Sequence, residues 1–313
     1  MQINNRKVRL ILSMFDTGAG KKGAAAGPID LKNKLMSGGV EFELESTAIS
    51  ENVESSAEHT YCKNIETIKA NAEGLALAVE NSVQNGEFPL IFSGDHSNAI
   101  GGLSGLKNAY PDKNIGVIWI DAHADLHSPY TTPSGNMHGM PLAALLGMDN
   151  TVRAHNKVTD TEQSLWNDLK AVGSKRIVPK ILPNNLAFIA LRDAESEEWG
   201  LIDDYDVTYF GPDDIKEHGI YYAINNALKK LDHCDGFYIS FDVDSMDPSI
   251  SVGTGTPVPE GLSKVEAESV VKTLLNHPKT LVFEVTEINP SLDEGGSKMA
   301  DVTASILQFA MKS

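Results

Sequence analysis

The sequence predicts an α/β protein: a single three-layer α/β/α domain with a mainly parallel central sheet. Short runs rich in Val, Ile, Leu, Phe and Tyr recur from one end to the other, and helical stretches lie between them. The runs are nearly continuous in apolar residues, the pattern of strands buried on both faces. No long Pro/Gly/Ser linker, low-complexity tract or internal repeat divides the 313 residues. Strands alternating with helices imply a parallel sheet covered on both sides. A chain of this length with 41% hydrophobic residues can also bury a large core. One domain over residues 1–313 is therefore expected.

The expected strands are Val8 to Phe15, Pro89 to Phe92, Gly116 to Ile120, Leu186 to Leu191, Val207 to Phe210, Gly236 to Phe241 and Thr280 to Val285. Expected helices include Ser56 to Gln84, Asp214 to Leu231, Lys264 to Leu275 and Met299 to Met311. Arg6, Lys7 and Arg9 precede the apolar run of the first strand, Leu10 to Phe15, which stops at Asp16. A secretory core needs about 7 to 15 apolar residues, and a membrane span needs about 20. The run is too short for either, so a buried strand and a cytoplasmic location are expected. Cys62 and Cys234 stand far apart and outside any Cys-x-x-Cys spacing. That argues against a disulfide framework and a zinc–thiolate site, and fits a reducing compartment. With 43 acidic and 26 basic residues, net charge is −17. Such a surface repels phosphate backbones, so neither nucleic acid nor membrane is an expected partner.

Each polar cluster begins where a strand stops. Pro89 to His96 ends in Asp95 and His96; Gly116 to Asp125 ends in Asp121, His123 and Asp125; Gly236 to Asp244 ends in Asp242 and Asp244; Thr280 to Glu287 ends in Glu287. In open parallel sheets ligands bind outside the carboxyl ends of the strands, so neighbouring strands would aim all four clusters into one crevice. In extended chain, residues two apart point to the same side, which lets Asp121, His123 and Asp125 converge, and likewise Asp242 and Asp244. Four ionised carboxylates in one pocket repel each other, and neither Ile118 to His127 nor Tyr238 to Asp247 contains a Lys or Arg. Two divalent cations would offset the four charges. Oxygen donors with two imidazoles suit manganese, with iron, cobalt, nickel or zinc left open.

These segments resemble the signatures of the arginase (ureohydrolase) family. Ser93-Gly-Asp-His-Ser97 is similar to GGDHS, Asp121-Ala-His-Ala-Asp125 to DAHxD, and Ser240-Phe-Asp-Val-Asp244, continuing to Asp247-Pro248, to SFDVDxxDP. Gly27-Pro28, Thr254-Gly-Thr-Pro-Val258 and Glu287-Ile-Asn-Pro290 extend the resemblance over nearly the whole chain. It implies two manganese ions bridged by Asp121 and Asp242, with His96 and Asp125 completing one and His123 and Asp244 the other. A hydroxide between them would attack the guanidinium carbon of L-arginine, giving L-ornithine and urea. His138, Glu287 and Asp125 become the candidate catalytic residues, with Glu287 holding the guanidinium and His138 shuttling the proton. Family members commonly assemble as trimers or hexamers, so a homo-oligomer is expected.

The loop His127-Ser-Pro-Tyr-Thr-Thr-Pro-Ser-Gly-Asn-Met-His-Gly-Met-Pro141 looks like that of true arginases, whose hydroxyls bind the substrate α-carboxylate. This assigns Thr132 and Ser134 to that group and adds Asn136 and Thr256 as substrate contacts. Two positions depart from the family pattern. His127 stands where arginases usually carry Asn, and Glu195 replaces the second Asp of LRDxDxxE. Both fall at the amino-acid end of the substrate. A sibling hydrolase acting on agmatine, guanidinobutyrate or formiminoglutamate is the alternative, and a non-catalytic metal-binding homologue is a further one.

Overall fold

The structure is a computed structural model that describes residues 1–48, 59–293 and 295–312. Among these, nine strands form one sheet: β1 (Gln2–Ile3), β2 (Arg6–Ser13), β3 (Leu44–Thr47), β4 (Phe88–Ser93), β5 (Ile115–Ile120), β6 (Leu186–Ile189), β7 (Thr208–Phe210), β8 (Gly236–Asp242) and β9 (Thr280–Thr286). The order is β1-β2-β4-β9-β8-β5-β6-β7, with β3 also paired to β2. All pairings are parallel except that of β1 with β2. The helices are α1 (Gly27–Ser37), α2 (Ile65–Gln84), α3 (Ala99–Ala109), α4 (Pro141–Leu146), α5 (Asp160–Lys170), α6 (Ser196–Asp204), α7 (Pro212–His218), α8 (Ile220–Lys230), α9 (Lys264–Leu275) and α10 (Lys298–Met311).

The continuous apolar runs divide by alternation into two cores. Leu10, Leu12, Leu90, Phe92, Ile118, Ile120, Phe237, Ile239, Phe241, Phe283 and Val285 face a layer to which α1, α8, α9 and α10 contribute. Ile11, Ile91, Val117, Trp119, Phe188, Tyr238 and Val282 face the other, built with α2, α3 and α4. A period of two along each strand with both faces covered is what removes polar residues from these segments.

Several boundaries move for local reasons. The first strand ends at Ser13, because Phe15 turns its carbonyl to the Asp95 N–H and the Asn98 side-chain amide. The strand from Leu186 stops at Ile189, since Ala190 has φ +74 and leaves the ladder. The helix expected from Ser56 starts at Ile65, after Asn64 at φ +57; residues 56–58 lie outside the described residues. The helix expected over Asp214 to Leu231 is two helices, divided by Gly219 at φ +81, a conformation that glycine adopts without penalty.

The chain fills β2 and β4, crosses to β5, β6 and β7, then returns to insert β8 and β9 between the two halves. This makes β4, β9, β8 and β5 neighbours. Their register aligns Phe92 with Val285, Val285 with Phe241, and Phe241 with Ile120. That apolar row closes the core, and the next residues on each strand are polar. Opposite the sheet, α3 lies close on α2, where a Cβ on Gly101 would come 2.7 Å from the Ala72 carbonyl oxygen and Gly105 meets the Ala76 carbonyl similarly. Gly105→Val should therefore cost about 1–3 kcal/mol by overpacking, read as a lower midpoint in denaturant unfolding of the metal-free chain.

Candidate metal centre and substrate pocket

Three of the four strand ends close with the same turn. The Asp95 carboxylate accepts from Ser97 N–H at 2.9 Å, Asp121 from His123 N–H at 2.7 Å and Asp242 from Asp244 N–H at 2.8 Å. An aspartate bonding two residues ahead makes a turn out of an ending strand. Convergence therefore does not come from extended alternation. Residues 243–245 form a short 3-10 turn, and Asp125 sits at φ +53, a conformation that Asp tolerates better than most residues.

These turns leave donor atoms pointing at common points. His96 Nδ1 lies 3.0 Å from Asp121 Oδ2, 3.0 Å from Asp125 Oδ2 and 3.2 Å from Asp242 Oδ2. His123 Nδ1 is 3.0 Å from Asp244 Oδ2 and 3.4 Å from Asp121 Oδ1. Two groups that could each hold an ion result, His96–Asp121–Asp242 and Asp121–His123–Asp244, sharing Asp121. His96 Nδ1, Asp121 Oδ2 and Asp125 Oδ2 are buried without a hydrogen-bond partner, although they crowd one another. Buried polar atoms are rarely left so; a divalent cation satisfies all three at once. The residues present fit a metal.

The titration behaviour agrees. Burial, then the Asp121 charge, pushes Asp125 up to about 6. Burial, then the Asp244 and Asp121 charges, pushes Asp242 well above the carboxylate range. Burial works against a charged His96, yet the surrounding Asp121, Asp125 and Asp242 carboxylates raise it well above normal. Arg192, the cation beside this set, spends its guanidinium on the carbonyls of Ala190, Asp244, Ser245, Val258 and Pro259.

Glu287 and His138 stand together. His138 Nδ1 is 3.2 Å from Glu287 Oε1, which also accepts from the His96 N–H at 3.0 Å. Burial disfavours the imidazolium, but Glu287, Asp95 and Asp125 prevail and lift His138 to about 9. Asp95 accepts from the Gly18 and Ala19 N–H groups, and the Gly18 carbonyl accepts from the His138 N–H. Asp95 thus fixes the segment against which His138 rests.

All the sequence-predicted site residues line one cavity: His96, Asp121, His123, Asp125, Asp242 and Asp244, together with His138, Glu287, Thr256, His127, Thr132, Ser134, Asn136 and Glu195. Thr256 Oγ1 donates to Asp244 Oδ2 at 3.2 Å. Thr132 Oγ1 accepts from the Ser134 and Gly135 N–H groups, and Ser134 Oγ accepts from the Asn136 N–H. Both hydroxyls keep a proton to donate. The two departures from the family pattern turn out to be partners: His127 Nε2 lies 2.9 Å from Glu195 Oε2 and 3.5 Å from Glu198 Oε2. The hydrogen bond from His127 is the main reason that Glu195 falls to about 2, while burial pushes Glu198 up to about 8.

Sequence reasoning missed the support behind the metal donors. His96 Nε2 meets Ser240 Oγ at 2.8 Å, and Ser240 donates to Glu284, a fully buried carboxylate that also accepts from Ser93 and Tyr238. The His96 ring stacks on Trp119 with centroids 4.0 Å apart. The signal was there: a charged residue within the apolar run Thr280 to Val285 needs partners wherever it is buried. Glu198 was also overlooked as a pocket residue. Partners that orient a ligating histidine typically matter by about 10–100-fold in metal affinity. Ser240→Ala should weaken metal binding by about that factor, measured by titrating metal into the stripped chain.

Comparison with known proteins follows the same lines. The family described as the Arginase family matches residues 6–312. The arginase of Bacillus subtilis strain 168 is 31% identical over 97% of this chain and 98% of its own length. Homo sapiens Arginase-1 is 29% identical over 98% of this chain and 91% of its own. Among solved structures, the arginase of Bacillus caldovelox superposes with a TM-score of 0.83 at 29% identity, covering 98% of this chain and 99% of that one. The formimidoylglutamase of Bacillus subtilis shares the fold at 20% identity and a TM-score of 0.74. The chain belongs to the arginase family of metal-dependent hydrolases.

Proposed function

We propose that this chain is a manganese-dependent arginase, hydrolysing L-arginine to L-ornithine and urea, with residues 1–313 acting as one catalytic domain. The observation that carries the reading is a single cavity lined both by six metal-type donors and by hydroxyl donors and a further carboxylate. His96, Asp121, Asp125 and Asp242 would hold one ion, and Asp121, His123, Asp242 and Asp244 the other. Four carboxylates, two imidazoles and no thiolate favour manganese, with cobalt, nickel, iron or zinc as substitutes. When bound, the two cations supply a Lewis-acid centre at which water ionises near neutral pH.

The chain's own residues do the rest. Glu287 accepts charge-assisted hydrogen bonds from the guanidinium and orients its planar carbon toward the metal end. His138 has Nδ1 engaged by Glu287, which leaves Nε2 to hand a proton to the departing amine. Thr132 and Ser134 donate to the substrate α-carboxylate, with Asn136 beside them. Glu195, steadied by His127, receives the α-ammonium. A homo-oligomer, trimer or hexamer, rests on the family resemblance, and a cytoplasmic location rests on the short first apolar run and the cysteine usage.

The contact between His127 and Glu195 also favours a second reading, a sibling hydrolase whose substrate lacks the α-amino-acid end, because the pair already neutralises the group that would receive the ammonium. Urea release by manganese-loaded protein separates the two. L-Arginine should exceed agmatine and guanidinobutyrate in kcat/KM by on the order of 10²-fold or more, since a pocket built for polar groups rejects analogues without them. Preference for either analogue would move the assignment to a sibling. His138→Ala should lower kcat by about 10²-fold or more with metal content unchanged; an unaffected rate would remove His138 from proton transfer.

A further inference from the structure

A second cluster of ligand-type side chains lies outside the pocket. His59, Cys62 and Glu162 each offer a donor atom, and these atoms lie within 4.8 Å of one another. All three residues are buried. His59 is only 7% exposed, and its Nε2 has no hydrogen-bond partner. Among the described residues, Glu66 Oε2 lies 3.8 Å from that nitrogen, too far for a hydrogen bond. Glu162 caps α5 through Oε2, which accepts from the Thr159 N–H and hydroxyl, while Oε1 accepts, among the described residues, only from the Tyr61 N–H and keeps a further lone pair. A thiol, an imidazole and two carboxylates match the donor types of a tetrahedral zinc site.

We propose that His59, Cys62 and Glu162, with Glu66 beside them, form a third divalent-cation site of the zinc–thiolate class, separate from the metal centre in the pocket. Ligand atoms about 2.0–2.3 Å from a zinc ion stand roughly 3.5 Å apart, so side-chain rotation is enough to gather this set. Binding forms a metal–sulfur bond and releases the Cys62 thiol proton to solvent. Burial, reinforced by the Glu162 and Glu66 charges, pushes that thiol up to about 12, and a dication reverses both effects. The cysteine spacing alone argued against such a site, because the other donors come from His59 and from α2 and α5 and not from a second cysteine.

The location gives the site a purpose. Lys63 N–H donates to the Gly135 carbonyl at 2.9 Å, and Lys63 Nζ reaches Asn136 Oδ1 at 3.4 Å. Gly135, at φ +75, presses on the Thr60 carbonyl, where a side chain would not fit. Cys62 shares a hydrophobic cluster with Met137, Met140 and Trp166. A cation here ties residues 59–64 to α5 and so braces the loop that carries Thr132, Ser134 and Asn136.

The test is cobalt(II) titration of the metal-free full chain. The pocket centre has only oxygen and nitrogen donors, so it gives no sulfur-to-cobalt charge-transfer band. A near-ultraviolet band whose final amplitude corresponds to one thiolate-bound cobalt per chain is expected, retained in Cys234→Ser and absent from Cys62→Ser. His59→Gln should weaken the binding that produces it by about tenfold or more. In wild-type protein, cobalt should also slow the reaction of Cys62 with a thiol reagent by a similar factor. This last measurement decides the matter should Cys62→Ser fail to fold. A folded wild-type chain with no band at saturating cobalt, or with no protection of Cys62, would overturn the proposal.

Discussion

The mutual repulsion of Asp121, Asp125, Asp242 and Asp244, all buried at the carboxyl ends of the central strands, is the constraint on which the rest of the structure depends. Donor atoms within each candidate group stand within 4.8 Å of one another. At that spacing two like charges repel by roughly 3–4 kcal/mol in an effective dielectric of about 20. The chain answers locally with turn hydrogen bonds to Asp121 and Asp242 and with the His96 and His123 rings. Among the described residues, no lysine or arginine forms an ion pair with these carboxylates, and the Arg192 guanidinium is committed to backbone carbonyls. Charge left unbalanced in this way is what makes the site fit cations.

Holding such a site requires stiffness behind it, and the sheet supplies it. β4, β8 and β9 contribute Ser93, Ser240, Tyr238 and Glu284 to a polar network inside an otherwise apolar layer, and that network ends on His96. A fully satisfied buried network specifies a unique arrangement, whereas a partly satisfied one costs stability. Trp119 stacking fixes the remaining freedom of the His96 ring. The candidate metal donors thus stand on strands and the turns that end them, and the proposed substrate contacts stand mostly on loops, which can vary while the chemistry stays in place.

That division matches where this sequence departs from the family's motif pattern. His127 and Glu195, the two departures, meet at 2.9 Å, so the longer acidic arm finds a partner in the imidazole. Glu198 closes the group by accepting from the Leu126 and Glu195 N–H groups, which anchors the start of α6 to the loop after β5. The amino-acid end of the pocket is one coupled unit, and its ligand preference belongs to the pair more than to either residue.

Much of this was legible in the linear sequence. Continuous apolar runs marked β2, β4, β5, β6, β8 and β9, because strands buried on both faces exclude polar residues. Polar clusters at their ends named the metal donors, because a parallel sheet aims its carboxyl ends at one crevice. The short edge strand β3 escaped notice, since half of its residues are exposed and its pattern is weak. The break at Gly219 was missed because one glycine inside a periodic run does not by itself announce a new helix. The sequence alone determined the fold class and singled out the candidate metal donors, since both follow from local hydrophobic pattern and strand-end position. The pairing of His127 with Glu195, the support of His96 by Glu284 and the meeting of His59, Cys62 and Glu162 were decided only by tertiary structure. Each joins segments distant in sequence, and no periodicity in a chain encodes which distant segments its sheet order will bring side by side.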